Sequence, residues 1–546
     1  MATPSLAMIP SAYADSKVYS VLPNNGDGDF TFNRDSSATR VGPNGLIQTV
    51  GYFGSELVTN GDFATDSDWT KETGWTISGG TANFSGGTGN KAMYQAVGIT
   101  NGKTYKIQYT VSSISAGQVA VRLGGMAGVD EITATTIGTY TGYITATGSA
   151  NGNIHIEDNN NNFVGSIDNV SVQEVLGDQP RLNYDISNGV VQSCPSLLLE
   201  PASTNLVAYS EELSNSNWIK IGSTEIISNN STSPNGSLNS DKVNASTTYN
   251  GILGFQDGFS VLSSSDYSVS FFAKKGNLRY LQLFHGGGQV VGNARTNFDL
   301  ENGIITVSDS GQDASIENYG NGWFRCIVSL EALSTTLQLY FNAVKDANAT
   351  RSAASDFNEN DNLFIWGIQL EQSNYPTSYI PTAGSSQTRA AETCNLTPPS
   401  GIIGQTEGAI FFEINFSNTD GVSGAWSISD NSSANRITMN TTDFSSTQFT
   451  LSVAQNYNSS STKLASGNVT YIGNHKVAIN YSGTTLKLFI DGVQADSVTT
   501  DGFGNYTKFY LAANQTGVGT DARKFIKTYL YDTALTDAQL ITLTTL

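Results

Sequence analysis

Residues 194–206 read Cys-Pro-Ser-Leu-Leu-Leu-Glu-Pro-Ala-Ser-Thr-Asn-Leu, and this stretch organises the rest of the chain. It holds one of the few uninterrupted aliphatic runs, Leu197 to Leu199, closed by Glu200 and Pro201 and followed at once by a new alternating pattern. It reads as the end of a split N-terminal module and the start of a second large β-domain. A first large domain is set between the two halves of that module.

Working outward, residues 1–52 carry short strand candidates separated by Asn24-Asn25-Gly26-Asp27-Gly28 and Gly42-Pro43-Asn44-Gly45, both strong turn signals. This is too little chain for a core of its own, and with 179–203 it makes up the split module. Residues 53–178 form the inserted β-sandwich: period-two alternation runs through Tyr105 to Val111, Gln118 to Leu123 and Ile167 to Val172, bounded by Gly and Asn. Residues 204–390 repeat that plan. Leu206-Val207 and Asn217-Trp218 stand to each other as Leu57-Val58 and Asp68-Trp69 do, Tyr267 to Phe271 matches Tyr105 to Tyr109, and Leu363 to Glu371 matches the Ile167 strand. A proline-bearing linker, 391–402, precedes a last domain, 403–546. There Asp491-Gly492 marks a hairpin turn, and Thr536 with Gln539 marks a capped helical turn. The fold class expected is all-β and multidomain, with several antiparallel β-sandwich (jelly-roll) domains in tandem.

Composition sets the same frame. The chain has 546 residues, too many for one core, with 38% hydrophobic and only 14% charged residues and 55 glycines. That mix suits short strands and tight turns. The net charge is −20 with 27 Lys and Arg, which lacks the basic footprint of a phosphate-backbone binder, so nucleic acid is not expected as a partner. No apolar run reaches the ~20 residues that span a bilayer, so membrane insertion is not expected. Ala12-Tyr13-Ala14 imitates a signal-peptidase site, but no basic residue precedes Lys17 and two prolines interrupt the apolar part, which argues against a Sec signal. Cys194, Cys326 and Cys394 are an odd, widely spaced set and read as reduced core thiols.

No catalytic pattern emerges. His155, His285 and His475 each stand alone, no nucleophile-elbow or phosphate-loop motif occurs, and Glu407, Glu413, Asp420 and Asp430 do not alternate as a glucanase pair on one strand face would. Sugar binding needs exposed aromatic platforms beside amides and carboxylates. Trp69 and Trp218 occupy equivalent repeat positions and Trp323 and Trp366 lie in apolar strands, so these four are assigned to packing. Trp75 and Trp426 remain as the platform candidates.

Three resemblances add to this reading. Residues His475 to Tyr481, Leu486 to Gly492 and Tyr531 to Leu540 make the last domain resemble the concanavalin A-like fold in its laminin-G-like form, which implies a two-sheet jelly roll, often sugar-binding. Asn60-Gly61-Asp62-Phe63, Trp69 and Ile167 to Val170 make the first sandwich resemble a carbohydrate-binding module. In such modules the opening turn and closing Asp often hold structural calcium, which nominates Asn60, Asp62 and Asp168. The split module, through Asp29 to Val41, Pro195 to Leu206, Asn321 to Arg325 and Trp366 to Pro381, resembles bacteriophage virion proteins of the tail or head fibre and appendage kind. In that pattern the strand after Gly45-Leu46-Ile47 runs directly on to Pro180-Arg181-Leu182, so their separation here marks the first sandwich as an insertion. The resemblance implies a non-enzymatic virion subunit, made in the host cytoplasm, homo-oligomeric (a trimer), and partnered by other virion proteins and host-surface glycans. A secreted or surface bacterial glycan-binding protein, and a purely structural capsid or tail part without a ligand, stand as alternatives. If the insertion argument holds, residues 1–52 pack against 179–206.

Overall fold

The computed structural model describes all residues except 1, 88, 101–102, 125–130, 147–151, 178, 247–251, 256–257, 354–355, 359, 417–422, 443–447, 470–472 and 519–521. The chain is all-β and multidomain, built of antiparallel sheets, with one α-helix, Asp537–Thr544, among the described residues.

The first sandwich has two layers. One runs Thr70–Lys71, Ala92–Ala96, the first half of Asn153–Gly177, the second half of Thr104–Leu123, then Glu131–Ala134. The other runs Trp75–Ser78, Thr81–Phe84, the second half of Asn153–Gly177, the first half of Thr104–Leu123, then Gly138–Thr145. The two long strands thus serve both layers, and their ladder slips register between Val111 and Gln118, where they bend from one layer into the other.

The second sandwich repeats this order strand for strand: Trp218–Lys220, Ile252–Phe255, Tyr340–Val344, Tyr280–Phe284 and Arg295–Asp299 in one layer; Glu225–Thr232, Leu238–Asn244, Asn362–Glu371, Ser265–Lys275 and Trp323–Ala332 in the other. Individual bonds repeat as well. Trp69 Nε1 donates to Asn60 O at 3.1 Å and Trp218 Nε1 to Tyr209 O at 3.0 Å, each nine residues back. Tyr105 Oη accepts from Thr100 N and Tyr267 Oη from Leu262 N, both at 2.8 Å and five residues back. Leu57 N bonds Val172 O as Leu206 N bonds Leu370 O, both at 2.9 Å. The copies differ where the second breaks each long strand with a loop and adds one edge strand to each layer, Ile304–Ser308 beside Arg295–Asp299 and Gln312–Gly320 beside Trp323–Ala332.

The third body corrects the expected boundaries. Residues 403–546 do not close a jelly roll alone. One sheet takes Leu6–Met8 and Ser196–Leu199 onto successive stretches of Arg523–Tyr531, with Arg181–Asn183 outside Ser196–Leu199. The other takes Tyr13–Ala14, Lys17–Val18, Phe30–Asn33 and Thr393–Leu396, the last pairing with Lys508–Leu511. The segment expected as a linker, 391–402, therefore contains a strand. Leu6, Phe30, Phe32, Leu197, Leu199 and Cys394 lie in one core with Phe412, Trp426 and Phe525. Side chains this apolar are buried by whichever partner covers them, and the partner is remote in sequence. The expected contact between 1–52 and 179–206 is present: Val41 N donates to Asn183 Oδ1 at 2.9 Å and Tyr184 N to Val41 O at 3.0 Å. Cys326 and Cys394 are buried, but Cys194, expected in the core, is exposed. The Asp491-Gly492 turn has both residues at positive φ (48° and 84°), and Thr536 with Gln539 forms a complete capping box.

Candidate functional site

Between the second sandwich and the jelly roll, Arg34, Arg181 and Glu200 of the split module are spent on one another and on Ser378, Arg389 and Glu392. Glu392 receives Arg34 at 2.7 Å, Arg181 through Nε at 2.8 Å and Nη2, and the Glu200 amide at 2.9 Å. Glu200 receives Arg181 at 2.8 Å, Arg389 at 3.0 Å, and both the amide and hydroxyl of Ser378 at 2.9 and 2.7 Å. All five charged side chains are at most 5% exposed. Burial alone would raise both carboxyls, but the facing guanidinium groups outweigh it and hold them below the ordinary carboxylate range. Thr377, whose Oγ1 takes a 2.9 Å bond from Arg389, donates its amide to the buried Glu371 at 2.9 Å and so links that side chain to the joint. Such a joint is costly to desolvate and tolerates no missing member.

Beside the joint lies a cleft of about 750 Å³ between the second sandwich and the jelly roll. Its floor is the outer face of the layer holding Gln312–Gly320 and Trp323–Ala332. Alternation sends Ala314, Ile316, Cys326 and Val328 to the core and presents Asp313, Ser315, Glu317, Ile327 and Ser329 to the cleft. Register places Glu317 opposite Arg325, Ser315 opposite Ile327 and Asp313 opposite Ser329. Toward the joint the same face is covered by Tyr375 to Tyr379: Tyr379 packs on Trp366 (4.7 Å between ring centres) and Phe272, and Arg325 donates to Thr377 O at 2.6 Å. The opposite wall includes Asn415 and the Lys524–Asp185 ion pair, 2.5 Å. The open half offers hydroxyl, amide and carboxylate groups, the set that pairs with a polyol.

A group of buried and half-buried carboxyls adjoins Tyr379. Glu211 accepts from Tyr379 Oη at 2.9 Å and Asn239 at 2.7 Å; Asp241 accepts the amides of Leu213 and Asn229 at 2.8 and 3.0 Å. Burial pushes Glu211 and Glu212 up to about 7 and Asp241 up to about 6.

The residues expected to bind ligand stand elsewhere. Trp75 is 4% exposed, lies against Phe84 and Phe163, and donates to Lys91 O at 3.0 Å; Trp426 is fully buried, stacked on Phe412. Neither offers a face to a sugar, because each sits on the inward side of its strand, where a large apolar ring gains most from burial. Asn60, Asp62 and Asp168 are brought close: Val170 N donates to Gly61 O at 2.8 Å, and a Cβ at Gly61 would meet Val170 O at 2.0 Å. Yet Asn60 closes its own loop, donating to Thr65 O and Ser67 O and accepting from Thr65 N. Asp168 accepts from Asn169 N. Among the described residues no third carboxylate, His or Cys joins the two Asp as a metal group. Calcium takes six to eight oxygen ligands, backbone carbonyls included, and here the Asn60 amide is engaged within its own loop. Of the acids weighed for hydrolysis, Glu413 pairs with Lys527 at 2.6 Å, Asp430 bonds within its own turn, and Asp420 lies outside the described residues.

No family model and no curated protein matches the chain. Solved structures similar to parts of it include carbohydrate-binding modules and domains of a sialidase and an arabinanase. The CBM40 of the Ruminococcus gnavus IT-sialidase bound to α2,3-sialyllactose is 14% identical, covering 26% of this chain and 84% of that one, TM-score 0.23. Domain 4 of AbnA, a GH43 extracellular arabinanase from Geobacillus stearothermophilus, in complex with arabinotriose, is 14% identical over 28% and 73%, TM-score 0.22. The N-terminal CBM22-1–CBM22-2 tandem of Paenibacillus barcinonensis Xyn10C is 11% identical over 59% and 98%, TM-score 0.19. Scores this low carry no argument about function.

Proposed function

We propose that this chain is a non-enzymatic subunit of a bacteriophage virion, a tail or head fibre or appendage protein, whose sandwiches adhere to host-surface glycans. The supporting observation is the joint. Arg34, Arg181, Glu200 and Ser378, all within or beside the segments that resemble virion proteins, are among the residues that clamp the second sandwich to the jelly roll. The shared pattern is thus a coupling element, as a displayed, load-bearing protein requires, and ligand contact falls to the sheet faces around it. In the cleft, Asp313 and Glu317 share one face four residues apart on a strand, about 13 Å, beyond the ~9.5 Å limit of a glycosidase pair. Symmetric assembly with other virion proteins, as a trimer, multiplies weak glycan affinities through avidity.

Mass spectrometry of purified particles together with a glycan array on the intact protein tests this. The expected result is the chain in particles and saccharide binding on the array. Absence from particles with binding retained supports a bacterial glycan-binding protein instead; presence without binding supports a purely structural part.

A further inference from the structure

Because the two sandwiches share one register, their faces can be compared side chain by side chain. In the first copy, Thr70, Tyr94, His155, Arg122 and Glu131 line up across five strands. The same row of the second copy is Ile219, Gly254, Tyr340, Phe284 and Arg295. One row along, Glu157 and Thr133 stand where the second copy has Asn342 and Asn297.

In the second copy this face is filled by the chain itself. The loop after Tyr340–Val344 folds back so that its carbonyls accept from the face: Ala349 O from Arg295 Nε at 2.8 Å and from Asn297 at 3.0 Å, Thr350 O from Gln282 at 3.1 Å, Ala347 O from Asn297 at 3.1 Å. Ser352 N donates to Gln282 Oε1 at 2.8 Å, and Arg351 lies over the Phe284 ring at 4.7 Å. Gln282, Asn297 and Asn342 are wholly buried beneath it. A run of oxygens laid across the sheet is what satisfies this face.

The first copy has no such loop, because Asn153–Gly177 continues as one strand where the second copy breaks off. Tyr94, His155, Glu131, Glu157 and Thr133 keep contact with solvent. The rings of Tyr94 and His155 stack at 5.2 Å, and burial holds the imidazole below its ordinary pKa. Arg122, 5% exposed, lies between Glu131 (2.5 Å) and Glu157 (2.7 Å) and fixes both carboxylates.

We infer that the face formed by Tyr94, His155, Glu131, Glu157 and Thr133 is a binding site for a neutral oligosaccharide, with Arg122 as a positioning residue, and that the matching face of the second sandwich is closed by its own loop. The inference rests on the glycan-binding reading above and says where that binding takes place. Tyr94 presents an aromatic surface for the C–H face of a pyranose, and the two oriented carboxylates accept hydroxyl protons. Two carboxylates around one guanidinium leave the face net negative, which disfavours sialic and uronic acids.

The test is calorimetric titration of the full chain with neutral gluco-, galacto- and manno-oligosaccharides, and with sialyllactose and oligogalacturonate as the anionic arm. Neutral ligands are expected to bind and anionic ones not. Tyr94→Ala should weaken binding about tenfold, as loss of a stacking ring predicts. Tyr94→Phe, which keeps the ring and controls for folding, should stay within about twofold of the parent, as should Tyr340→Ala. Thr133→Trp, a bulky change at a half-exposed position, should block the face. Binding that survives Tyr94→Ala and Thr133→Trp but is lost in Ser315→Trp would overturn this inference and leave the glycan reading standing, moved to the cleft. Binding confined to the anionic arm would also overturn it. Failure of every saccharide to bind the intact parent would overturn the glycan reading and this site with it.

Discussion

Replacing Glu392 with Gln removes one negative charge from the joint and changes nothing else in size. In the folded protein that carboxylate takes bonds from Arg34, from two nitrogens of Arg181 and from the Glu200 amide, and both guanidinium groups are wholly buried. An amide oxygen replaces part of this hydrogen bonding but none of the charge, and the amide NH₂ points two donors at donors. Breaking a buried pair by removing one partner costs about 3–5 kcal/mol, against at most ~1 kcal/mol for an exposed pair. The loss should fall on the jelly roll and the joint, because Arg34 and Glu392 sit at the ends of Phe30–Asn33 and before Thr393–Leu396, the two strands that close its second sheet. Differential scanning calorimetry with hydrogen exchange resolves this. The transition that includes residues 30–33 and 393–396 should move down by roughly 2–4 °C per kcal/mol, about 10 °C in all, while the two sandwiches hold their own transitions. The acid limb should change too. Glu392 and Glu200 have folded pKa values below their unfolded ones, so their contribution is present above ~4.5 and is lost as pH falls through the depressed values. Glu392→Gln should flatten that limb. A shift under ~1 kcal/mol with an unchanged acid limb would refute the reading of the joint as a tightly coupled charge cluster.

The buried carboxyls beside Tyr379 predict the opposite slope. Glu211 and Glu212, raised to about 7, and Asp241, raised to about 6, bind their protons more tightly in the folded state, so the second sandwich should lose stability as pH rises from ~4.5 through 7, and Glu211→Gln should remove roughly a third of that dependence in urea titrations at pH 5 and 8. Trp75→Ala should cost the first sandwich about 3–5 kcal/mol, read by denaturant unfolding; a surface-like loss below 1 kcal/mol would contradict its burial. The fragment 403–546, lacking the strands from 6–33, 181–199 and 393–396, should fail to melt cooperatively; a sharp calorimetric transition would show that those strands are dispensable. EDTA should leave the first sandwich's melting temperature unchanged, since Asn60 closes its loop without an ion; a fall reversed by calcium would reinstate the metal.

Much of the fold was legible because its signals are local. Alternation named several of the longer strands, Asp491-Gly492 named a hairpin, Thr536 with Gln539 named the helix cap, and the spacing of Trp69 and Trp218 against their neighbours named the repeat, which the matched Trp and Tyr bonds then express atom by atom. What stayed hidden is partner choice. Alternation tells which side of Phe30–Asn33 or Thr393–Leu396 is buried, not which strand covers it, so a strand passed for a linker and a jelly roll assembled from four segments passed for a C-terminal domain. Trp75 and Trp426 were misplaced for the same reason: a tryptophan reads alike in a core and on a platform, and only the opposing layer decides. The candidate binding face is the extreme case. Tyr94, His155, Arg122 and Glu131 come from four strands and carry no motif, and their meeting, like the closure of the equivalent face by residues 347–352, exists only in the paired register of folded sheets. The sequence by itself determined strands, turns and a duplicated design through short-range geometry; the tertiary structure decided which edges join and which face stays open, because those depend on contacts between residues that local pattern cannot connect.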